Sequence, residues 1–443
     1  MIKPLVAIVG RPNVGKSTFF NKMAGKRISI VEDVPGVTRD RVYADAEWCG
    51  YPFTMIDTGG IEIHSEDVMW KHIRRQAELA VDLADVILYF VDGKTGILPD
   101  DYDVADYLRM SKKPIVLAVN KIDNSDSYGA YDFYALGLGE PIPVSAENSL
   151  NLGDLLDAIV AHFPERAETE AESEALKIAV VGKPNAGKSS LVNKLLGFER
   201  VIVSDIAGTT RDAIDTPFTV DGKQYRIVDT AGIRKKSKVE EDVEYYSVIR
   251  SIDAMRRADV VAVVIDAEEG LTEQDIKICG LVHESRKPSV IILNKWDLVV
   301  KDTFTVNKFK DKLDAELKFM SYYKPMFISA LTGQRVGLVL ENLEKVYENA
   351  SRRIPTGLLN DVLQDAMSVN EPPTHNGKKL KVYYATQATS NPPTFVLFVN
   401  DEEIMHFSYK RYLENALRKA FDFSGTPISL KVRAKDKDDI EQR

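Results

Sequence analysis

The same set of short motifs occurs twice in this chain of 443 residues, in the same order and mostly at one fixed distance. The segment GRPNVGKS at residues 10–17 returns 172 residues later as GKPNAGKS at residues 182–189. The other repeated pairs are PGVTRD around Thr38 with AGTTRD around Thr210, DTGG at Asp57 with DTAG at Asp229, NKID at Asn120 with NKWD at Asn294, and Ser145-Ala146 with Ser329-Ala330. Five motifs that recur in one order predict two complete copies of one domain.

Short, branched, apolar runs alternate with amphipathic segments in each half of the chain. The first half contains LVAIVG, FTMID, VILYFVD, IVLAVN and IPVSA, and the second contains IAVVG, YRIVD, VVAVVID, VIILN and MFISA. Such runs are typical of parallel strands that are covered on both faces. The alternation predicts a doubly wound α/β fold with a mostly parallel sheet, built twice, with ligand sites at the carboxyl ends of the strands.

Each copy begins with a glycine-containing loop that follows a strand and opens a helix, which is the context in which GxxxxGKS binds phosphate. Lys16 and Lys188 are expected to reach the β- and γ-phosphates as catalytic residues, while the Ser17 and Ser189 hydroxyls ligate Mg²⁺. The predicted loop residues are Gly10, Arg11, Pro12, Asn13, Val14, Gly15, Lys16 and Ser17 in the first copy, and Gly182, Lys183, Pro184, Asn185, Ala186, Gly187, Lys188 and Ser189 in the second.

Two further segments of each copy are suited to Mg²⁺ and the γ-phosphate. Asp57 and Asp229 end apolar strands, where an acid can orient the shell of the metal ion. Thr38 and Thr210 lie in candidate switch loops that could close over Mg²⁺, which makes them predicted metal and catalytic residues. The turn residues assigned to the nucleotide are Thr58, Gly59, Gly60 and Ile61 in the first copy, and Thr230, Ala231, Gly232 and Ile233 in the second.

NKID and NKWD predict which base is bound. The carboxylate of Asp123 or Asp297 can accept hydrogen bonds from the N1–H and the exocyclic amine of guanine, whereas adenine lacks this donor pair, so we expect GTP rather than ATP. The asparagines should tie each base loop to its phosphate loop, and the backbone of the Ser-Ala pairs should contact the base carbonyl. The predicted base-loop residues are Asn120, Lys121, Ile122, Asp123, Ser145 and Ala146, and Asn294, Lys295, Trp296, Asp297, Ser329 and Ala330.

The residue after each DTGG or DTAG is isoleucine, where many GTPases place a glutamine that orients water. Ile61 and Ile233 cannot orient water by hydrogen bonding, so intrinsic hydrolysis is expected to be slow or to depend on another element. Asn13 and Asn185 are the candidates, since their side-chain oxygens could help to hold a monovalent cation beside the phosphates. The alternative is that each asparagine only stabilises the turn of its loop.

Composition restricts the class of protein. No apolar run approaches the roughly 18 residues that cross a bilayer, and the opening IKPLVAIVG has the pattern of a strand rather than a signal peptide. Cys49 and Cys279 make no disulfide framework, and we expect two buried thiols in a reducing compartment. The net charge of −9 argues against indiscriminate nucleic-acid binding by the whole surface. A soluble, cytoplasmic monomer is predicted.

The two copies are followed by a third segment of different composition. The glutamate-rich stretch PERAETEAESEA at residues 164–175 predicts an exposed linker, with a short helical extension as the alternative. After residue 355 no nucleotide motif recurs, and the order of patterns predicts a small α-β-β-α-β domain. The predicted domains are therefore residues 1–163, 176–354 and 355–443, with the linker between the first two.

The tandem GRPNVGKS and GKPNAGKS loops, the switch segments ending in TRD, DTGGI, DTAGIRKKSKV and the small terminal domain together resemble the EngA/Der family of bacterial GTPases over essentially the full chain. The resemblance implies two Ras-like P-loop GTPase domains followed by a KH-like α+β domain. It also implies hydrolysis of GTP to GDP and phosphate, stimulation by potassium through the loop asparagines, and a role in assembly of the large (50S) ribosomal subunit with contact to ribosomal RNA.

Two basic segments are candidates for RNA contact. The first follows DTAG directly, so the nucleotide state could control its presentation; the alternative is an exposed switch without a partner. The second is a helix and strand with seven basic and two acidic residues at 405–435, for which a solvated face or packing against a GTPase domain are alternatives. This segment has no GxxG loop, which clamps the nucleic-acid backbone in KH domains. The candidates are Arg234, Lys235, Lys236 and Lys238, and Lys410, Arg411, Arg418 and Lys419, with Lys431, Arg433 and Lys435 extending the second surface.

Three functions are compatible with these patterns. The leading prediction is a GTP-hydrolysing assembly factor in which GTP orders the switches and hydrolysis allows release. The second is a nucleotide-gated binding module in which one domain binds GTP or GDP without significant turnover. The third, a GTPase of membrane or tRNA-modification pathways, is disfavoured because the chain has no amphipathic membrane anchor and no cysteine-containing modification tail.

Overall fold

A computed structural model describes residues 3–25, 43–57, 80–123, 127–163, 175–197, 201–203, 215–229, 243–375 and 377–434. This part of the chain contains two large, mostly parallel sheets and a three-stranded sheet. The terminal domain and most of the second α/β domain belong to one compact unit, and the first α/β domain belongs to another. Each α/β domain therefore has its own sheet, as the repeated motifs predict.

The first sheet has the strand order β2-β3-β1-β4-β5-β6. β1 lies between β3 and β4 and is parallel to both, and β2 runs antiparallel at the edge. Parallel strands end at the same edge of a sheet, so the motifs that follow them come together. The strands are β1 (Leu5–Gly10), β2 (Tyr43–Trp48), β3 (Tyr51–Asp57), β4 (Val86–Asp92), β5 (Ile115–Asn120) and β6 (Pro141–Pro143); the helices are α1 (Lys16–Gly25), α2 (Pro99–Met110), α3 (Leu152–Ala161) and a 3-10 segment at Ser127–Leu136.

The second sheet has the order β13-β12-β11-β7-β10-β9-β8, with β8 and β9 joined antiparallel at one edge. Its inner strands repeat the parallel arrangement of the first sheet, because β7 pairs with β10 and β11. The strands are β7 (Leu176–Val181), β8 (Val201–Val203), β9 (Thr216–Val220), β10 (Lys223–Val228), β11 (Val260–Asp266), β12 (Ser289–Asn294) and β13 (Pro325–Phe327); the helices are α4 (Lys188–Leu196), α5 (Val243–Arg257), α6 (Glu273–Glu284), α7 (Thr305–Glu316), α8 (Leu338–Ser351) and a 3-10 segment at Lys318–Met320.

Alternation along the central strands divides each α/β core into two layers. Val6 and Ile8 of β1 pack into one hydrophobic cluster, whereas Leu5 and Ala7 pack into the cluster on the other face. All seven residues of β4 are buried because the sheet is covered on both faces. Burial of each such side chain contributes about 1.5–3 kcal/mol, so the strand ends that carry the motifs are anchored in well-packed cores.

The terminal domain has the predicted α-β-β-α-β order. Its sheet β16-β17-β18 is antiparallel between the first two strands and parallel between the last two. A short hairpin, β14 with β15, was not predicted because its strands have two residues each. The elements are α9 (Thr356–Val369), β14 (Thr374–His375), β15 (Lys378–Lys379), β16 (Val382–Ser390), β17 (Pro393–Val399), a 3-10 segment at Glu402–Ile404, α10 (Phe407–Ala420) and β18 (Ser429–Ala434).

The structure corrects three smaller predictions. Cys49 is exposed, because it lies with φ +47° in the turn between β2 and β3, whereas Cys279 is buried as expected. Ala175, which we assigned to the exposed linker, is buried directly before β7; residues 164–174 lie outside the described residues. The edge strands β2, β8 and β9 were not predicted. Among the described residues, every helix is too short or too polar to cross a membrane.

Candidate nucleotide sites

The second glycine of each phosphate loop is required because a neighbouring asparagine side chain approaches it closely. Gly15 has φ +97°, and a Cβ at this position would lie 2.2 Å from the Asn120 Nδ2 atom. Gly187 repeats this geometry with φ +96° and a distance of 2.1 Å to Asn294 Nδ2. Only glycine adopts such a conformation without strain and also leaves room for the neighbouring amide. The phosphate loop and the base loop are therefore in direct contact in both domains.

The lysine of each loop lies over the backbone that is predicted to surround phosphate. Lys16 Nζ donates to the carbonyl oxygens of Gly10, at 2.8 Å, and Arg11, at 2.7 Å. Lys188 Nζ donates to the equivalent oxygens of Gly182 and Lys183, both at 2.7 Å. Burial lowers the pKa of each lysine to about 8. A phosphate that replaced these neutral acceptors would favour the charged form of both ammonium groups.

The other side chains of the loops are engaged by the protein itself. Val14 and Ala186 are buried in the hydrophobic cores. Arg11 Nε lies 2.7 Å from Asp101 Oδ1, and Lys183 Nζ lies 2.8 Å from Glu269 Oε2. These residues therefore offer only their backbone N–H groups to a ligand, as a phosphate loop requires.

A serine and an aspartate meet where Mg²⁺ is predicted in the first domain. Ser17 Oγ donates to Asp57 Oδ2 at 2.8 Å, and the carboxylate of Asp57 is buried. Hydroxyl and carboxylate oxygens are the ligands that Mg²⁺ prefers, so this pair fits the ion. In the second domain Asp229 has φ +55°, and its N–H donates to Asp215 Oδ1 at 3.0 Å. The ends of β3 and β10 therefore differ in local backbone geometry.

An asparagine joins the base loop to the phosphate loop in each domain, as predicted. Asn120 Nδ2 donates to Val14 O at 2.7 Å, and Asn120 Oδ1 accepts from Ala146 N at 2.9 Å. Asn294 makes the same pair of bonds in the second domain, to Ala186 O at 3.0 Å and from Ala330 N at 2.9 Å. We call this arrangement the asparagine tie. The Ala146 and Ala330 N–H groups thus donate to the asparagines, and contact of the Ser-Ala backbone with the base carbonyl stays a prediction.

The two carboxylates predicted to select guanine have different surroundings. Asp123 Oδ1 accepts from Ser145 Oγ at 2.8 Å, and Lys94 Nζ lies 2.5 Å from Oδ2. Hydrogen bonds from Lys94 and Ser145 lower the pKa of Asp123. In the second domain Asp297 Oδ1 is buried and has no hydrogen-bond partner among the described residues. An unpaired buried carboxylate oxygen is costly, so this atom is suited to accept a donor from a ligand.

Sequence reasoning missed a carboxylate that holds the lysine of each base loop. Lys121 Nζ lies 2.6 Å from Asp92 Oδ2, and Lys295 Nζ forms the equivalent ion pair with Asp266. Burial opposes ionisation of both carboxylates, but hydrogen bonds from the lysines and from backbone N–H groups outweigh it and lower the pKa of Asp92 and Asp266. The signal was present in the sequence, since VILYFVD and VVAVVID both end in Asp, 174 residues apart.

The sequence matches the family described as "50S ribosome-binding GTPase" over residues 5–121 and 177–295. It also matches the family described as the C-terminal KH-domain-like part of EngA bacterial GTPase enzymes over residues 353–433. GTPase Der of Clostridium perfringens is 56% identical over 436 residues, which cover 98% of this chain and 100% of that protein. The chain belongs to the Der (EngA) family of GTPases.

Another Der relative, from Clostridium tetani, is 57% identical over 434 residues, covering 98% of this chain and 99% of that protein. A crystal structure of Era in complex with MgGDPNP and a segment of 16S ribosomal RNA is 22% identical and covers 61% of this chain and 96% of that chain, with a TM-score of 0.31, which is too low to bear on the present fold. Membership of the Der family confirms GTPase activity, binding of GTP and GDP, and two tandem GTPase domains followed by a KH-like domain.

In this Der-family chain, the third residue of each base-loop motif packs in the core of its domain. The Trp296 ring is buried against Phe327, with ring centroids 4.5 Å apart, so its side chain packs in the core of the second GTPase domain. Ile122 packs similarly against the core of the first. Asn13 and Asn185 both have φ +62°, a left-handed conformation that asparagine tolerates and that shapes the turn of each loop.

Several predicted residues lie outside the described residues. They belong to both switch loops, to the turns after DTGG and DTAG, and to the first basic segment. They are Thr38, Thr58, Gly59, Gly60, Ile61, Thr210, Thr230, Ala231, Gly232, Ile233, Arg234, Lys235, Lys236, Lys238 and, at the end of the terminal domain, Lys435.

The structure corrects the role predicted for Arg418 as an RNA contact. Its guanidinium lies 4.9 Å from the centre of the Tyr322 ring, and Nη1 donates to Thr426 O at 2.8 Å. The Tyr322 hydroxyl is in turn 3.0 Å from His283 Nδ1. Tyr322 and His283 belong to the second GTPase domain, so packing against a GTPase domain, an alternative left open by the sequence, is the role of Arg418.

The remaining predicted cations of α10 differ in exposure. Arg411 is exposed, and its Nη2 donates to Lys318 O of the second GTPase domain at 3.4 Å. Lys419 is exposed and Lys410 is half-buried. Lys431 and Arg433 are exposed but project from the opposite face of the sheet to the one that α10 covers. The prediction that these strand cations extend the surface of the helix is therefore wrong for Lys431 and Arg433.

Proposed function

We propose that this protein is a nucleotide-switched assembly factor for the large ribosomal subunit that contacts ribosomal RNA. GTP would order the switch loops at one or both sites and favour the domain arrangement with high affinity for a precursor particle. Hydrolysis to GDP would then favour release, since a ligand shifts an equilibrium only by its different affinity for the two states. The observation that carries the proposal is the presence of two complete asparagine ties in a chain that matches Der relatives over 98% of its length.

The geometry supports a division of labour among the motif residues at both sites. Lys16 and Lys188 would bind the β- and γ-phosphates, with the loop N–H groups around them. The carboxylates of Asp123 and Asp297 would accept the guanine donors, for which the buried, unpartnered Asp297 Oδ1 is the strongest support. Lys121 and Lys295, positioned by their aspartates, would lie along the base.

Mg²⁺ and K⁺ are part of the proposal. Ser17, Thr38 and Asp57, and Ser189, Thr210 and Asp229, would hold Mg²⁺, which supplies charge stabilisation to the phosphates when it is bound. Asn13 and Asn185 would contribute oxygen ligands to K⁺ in place of a water-orienting glutamine. The domain limits at 163, 176 and 355, a cytoplasmic location and a monomeric state also stay predictions.

Particle co-sedimentation tests the proposal. Purified chain is mixed with 50S subunits and precursor particles in the presence of GDP, GTP or a non-hydrolysable GTP analogue, in potassium and in sodium. We expect the analogue to give the strongest particle binding and GDP the weakest. Co-sedimentation that is indifferent to the nucleotide would contradict the switch.

The potassium sites are tested by the rate of GTP hydrolysis, measured in the same two salts. Equal rates of hydrolysis in potassium and in sodium would contradict these sites.

The alternative is that one GTPase domain binds nucleotide without significant turnover. The different surroundings of Asp123 and Asp297 favour unequal sites. Single-turnover hydrolysis by Lys16→Ala and Lys188→Ala variants separates the possibilities, because each variant retains one intact site. Hydrolysis by both variants supports two active sites, whereas hydrolysis by one alone supports the binding-module alternative.

A further inference from the structure

The outward face of the terminal sheet carries aromatic rings and cations side by side. On the central strand β17, Phe395, Leu397 and Val399 are fully buried with α9 and α10. Successive side chains of a strand point to opposite faces, so Phe398 projects outward. Tyr384 of β16 and Arg433 of β18 pair with Phe398 on either side. We call this outward surface of β16, β17 and β18 the sheet face.

The two rings of the sheet face form a stacked pair. The centroids of Tyr384 and Phe398 lie 4.5 Å apart with 17° between the ring planes, and Tyr384 is 38% exposed. A cross-strand aromatic pair stabilises a sheet by itself. At this distance the two rings face one another, and the exposed Tyr384 ring keeps an outer face on which a nucleobase can stack, because every base has a π face.

Cations complete the same surface. Arg433 lies beside Phe398, and Lys431 lies beside Val396 in the next row; both are exposed, and neither forms an ion pair with another described residue. None of the outward positions in these rows is acidic. These positions are Tyr384, Thr386, Thr394, Val396, Phe398, Ser429, Lys431 and Arg433.

The terminal segment lacks the GxxG clamp by which KH domains hold a nucleic-acid backbone. The glycines of the terminal segment are Gly357, Gly377 and Gly425, and no two of them form GxxG. In addition, α10 directs Arg418 into the second GTPase domain and Arg411 toward Lys318. Few cations of the helical layer therefore remain for contact with RNA, whereas both cations of the sheet face, Lys431 and Arg433, remain.

We propose that the sheet face binds single-stranded RNA, with bases stacked on Tyr384 and Phe398 and phosphates contacted by Arg433 and Lys431. Sheets that carry exposed aromatic rings bind two or three stacked bases in this way in other RNA-binding domains. Threonine and serine hydroxyls in the neighbouring rows add donors and acceptors for base edges or the 2′-hydroxyl. The inference rests on the proposed function only where it identifies this RNA as ribosomal.

Fluorescence anisotropy with a labelled oligouridylate of about ten nucleotides tests the sheet face on the full chain. Phe398→Leu and Tyr384→Leu keep apolar bulk but remove a ring, and each should weaken binding about tenfold, within the range for loss of one base stack. Lys431→Gln combined with Arg433→Gln should reduce the slope of log affinity against log salt by about 1.4, since each phosphate contact on a single strand contributes about 0.7.

Two matched controls come from the GTPase domains. Tyr131 and Tyr134 form an exposed stacked pair, with centroids 6.3 Å apart and 3° between ring planes, beside Asp132 rather than beside cations. Lys308 is an exposed cation on α7, paired with Asp302 at 2.8 Å. Tyr131→Leu and Lys308→Gln should leave oligouridylate affinity unchanged. GTP hydrolysis and the melting temperature of every variant report whether the chain remains folded.

The possible outcomes separate this inference from the proposed function. Folded ring variants that bind oligouridylate as tightly as wild type would overturn it. Ring variants that lose only particle binding, while wild type fails to bind oligouridylate, would also overturn it, because the sheet face would then meet protein. If wild type fails to bind ribosomal particles but the ring variants still weaken oligouridylate binding, the proposed function fails and the sheet face stands.

Discussion

Replacing Asn294 by alanine tests whether the asparagine tie holds the base loop of the second site against its phosphate loop. Asn294 is 2% exposed, and its amide joins two buried backbone groups, the Ala186 carbonyl at 3.0 Å and the Ala330 N–H at 2.9 Å. Alanine leaves both without a partner. Each unpaired buried group costs about 1–3 kcal/mol, so the second GTPase domain should lose about 2–6 kcal/mol of unfolding free energy.

Part of this cost should fall on nucleotide binding, because GDP contacts both loops at once and requires their native separation. A loss of about 2.7 kcal/mol corresponds to about 100-fold weaker binding. We therefore expect the affinity of the second site for GDP to fall about 100-fold in Asn294→Ala. The first site should be unchanged, because Asn120 and its two hydrogen bonds remain.

Calorimetric titration with GDP measures the two affinities in one experiment, with the first site as an internal reference. Asn342→Ala is a matched control, since Asn342 is a half-buried asparagine on α8, away from the nucleotide motifs, whose Nδ2 donates to Leu338 O at 2.8 Å. This variant should bind two equivalents of GDP with unchanged affinity. Equal weakening of both sites in Asn294→Ala, or no weakening of either, would refute the role assigned to the tie.

Three further predictions follow from packing and charge. Burial and neighbouring arginines lower the pKa of His283 from 6.5 to about 4, so the stabilisation from its neutral form is fully present above pH 6.5 and is lost as the pH falls toward 4. In urea titrations across that window, the free energy of unfolding of wild type should fall by up to about 3 kcal/mol more than that of His283→Gln, and equal losses would contradict this. Gly187→Ala should abolish GDP binding at the second site by steric overlap, while Gly222→Ala, with φ +82° and open space around its Cβ, should retain it; retention in both would exclude the overlap. Arg418→Ala should lower the unfolding free energy by about 2–3 kcal/mol through lost contacts with the second GTPase domain, without changing RNA affinity; weaker RNA binding at unchanged stability would restore its predicted RNA contact.

The repeated motifs allowed the two α/β domains and their loops to be predicted, because glycine spacing and apolar strands are local signals. Gly15 and Gly187 have the positive φ that glycine permits at these loop positions. Runs such as VILYFVD and VVAVVID are almost entirely apolar, so their burial could be predicted. The asparagine tie followed from the same logic. It joins residues more than 100 positions apart, yet both ends lie at motif positions.

Features that depend on the neighbouring element could not be predicted. Arg418 lies on an amphipathic helix, and its sequence context does not distinguish a solvent-facing cation from one that stacks on Tyr322. The apolar side chain of Cys49 predicted burial, but the residue lies in a tight turn that exposes it. The edge strands were missed because one face is not covered, so β2 alternates between buried and exposed residues and lacks a continuous apolar run.

The central claim is that both sites bind guanine through Asp123 and Asp297. Calorimetry of the purified chain with GDP and, separately, with ADP measures this directly. We predict two equivalents of GDP bound per chain and no detectable binding of ADP, with Asp297→Asn and Asp123→Asn each removing one GDP equivalent. Binding of ADP at comparable affinity, or two GDP equivalents retained in either variant, would contradict the account.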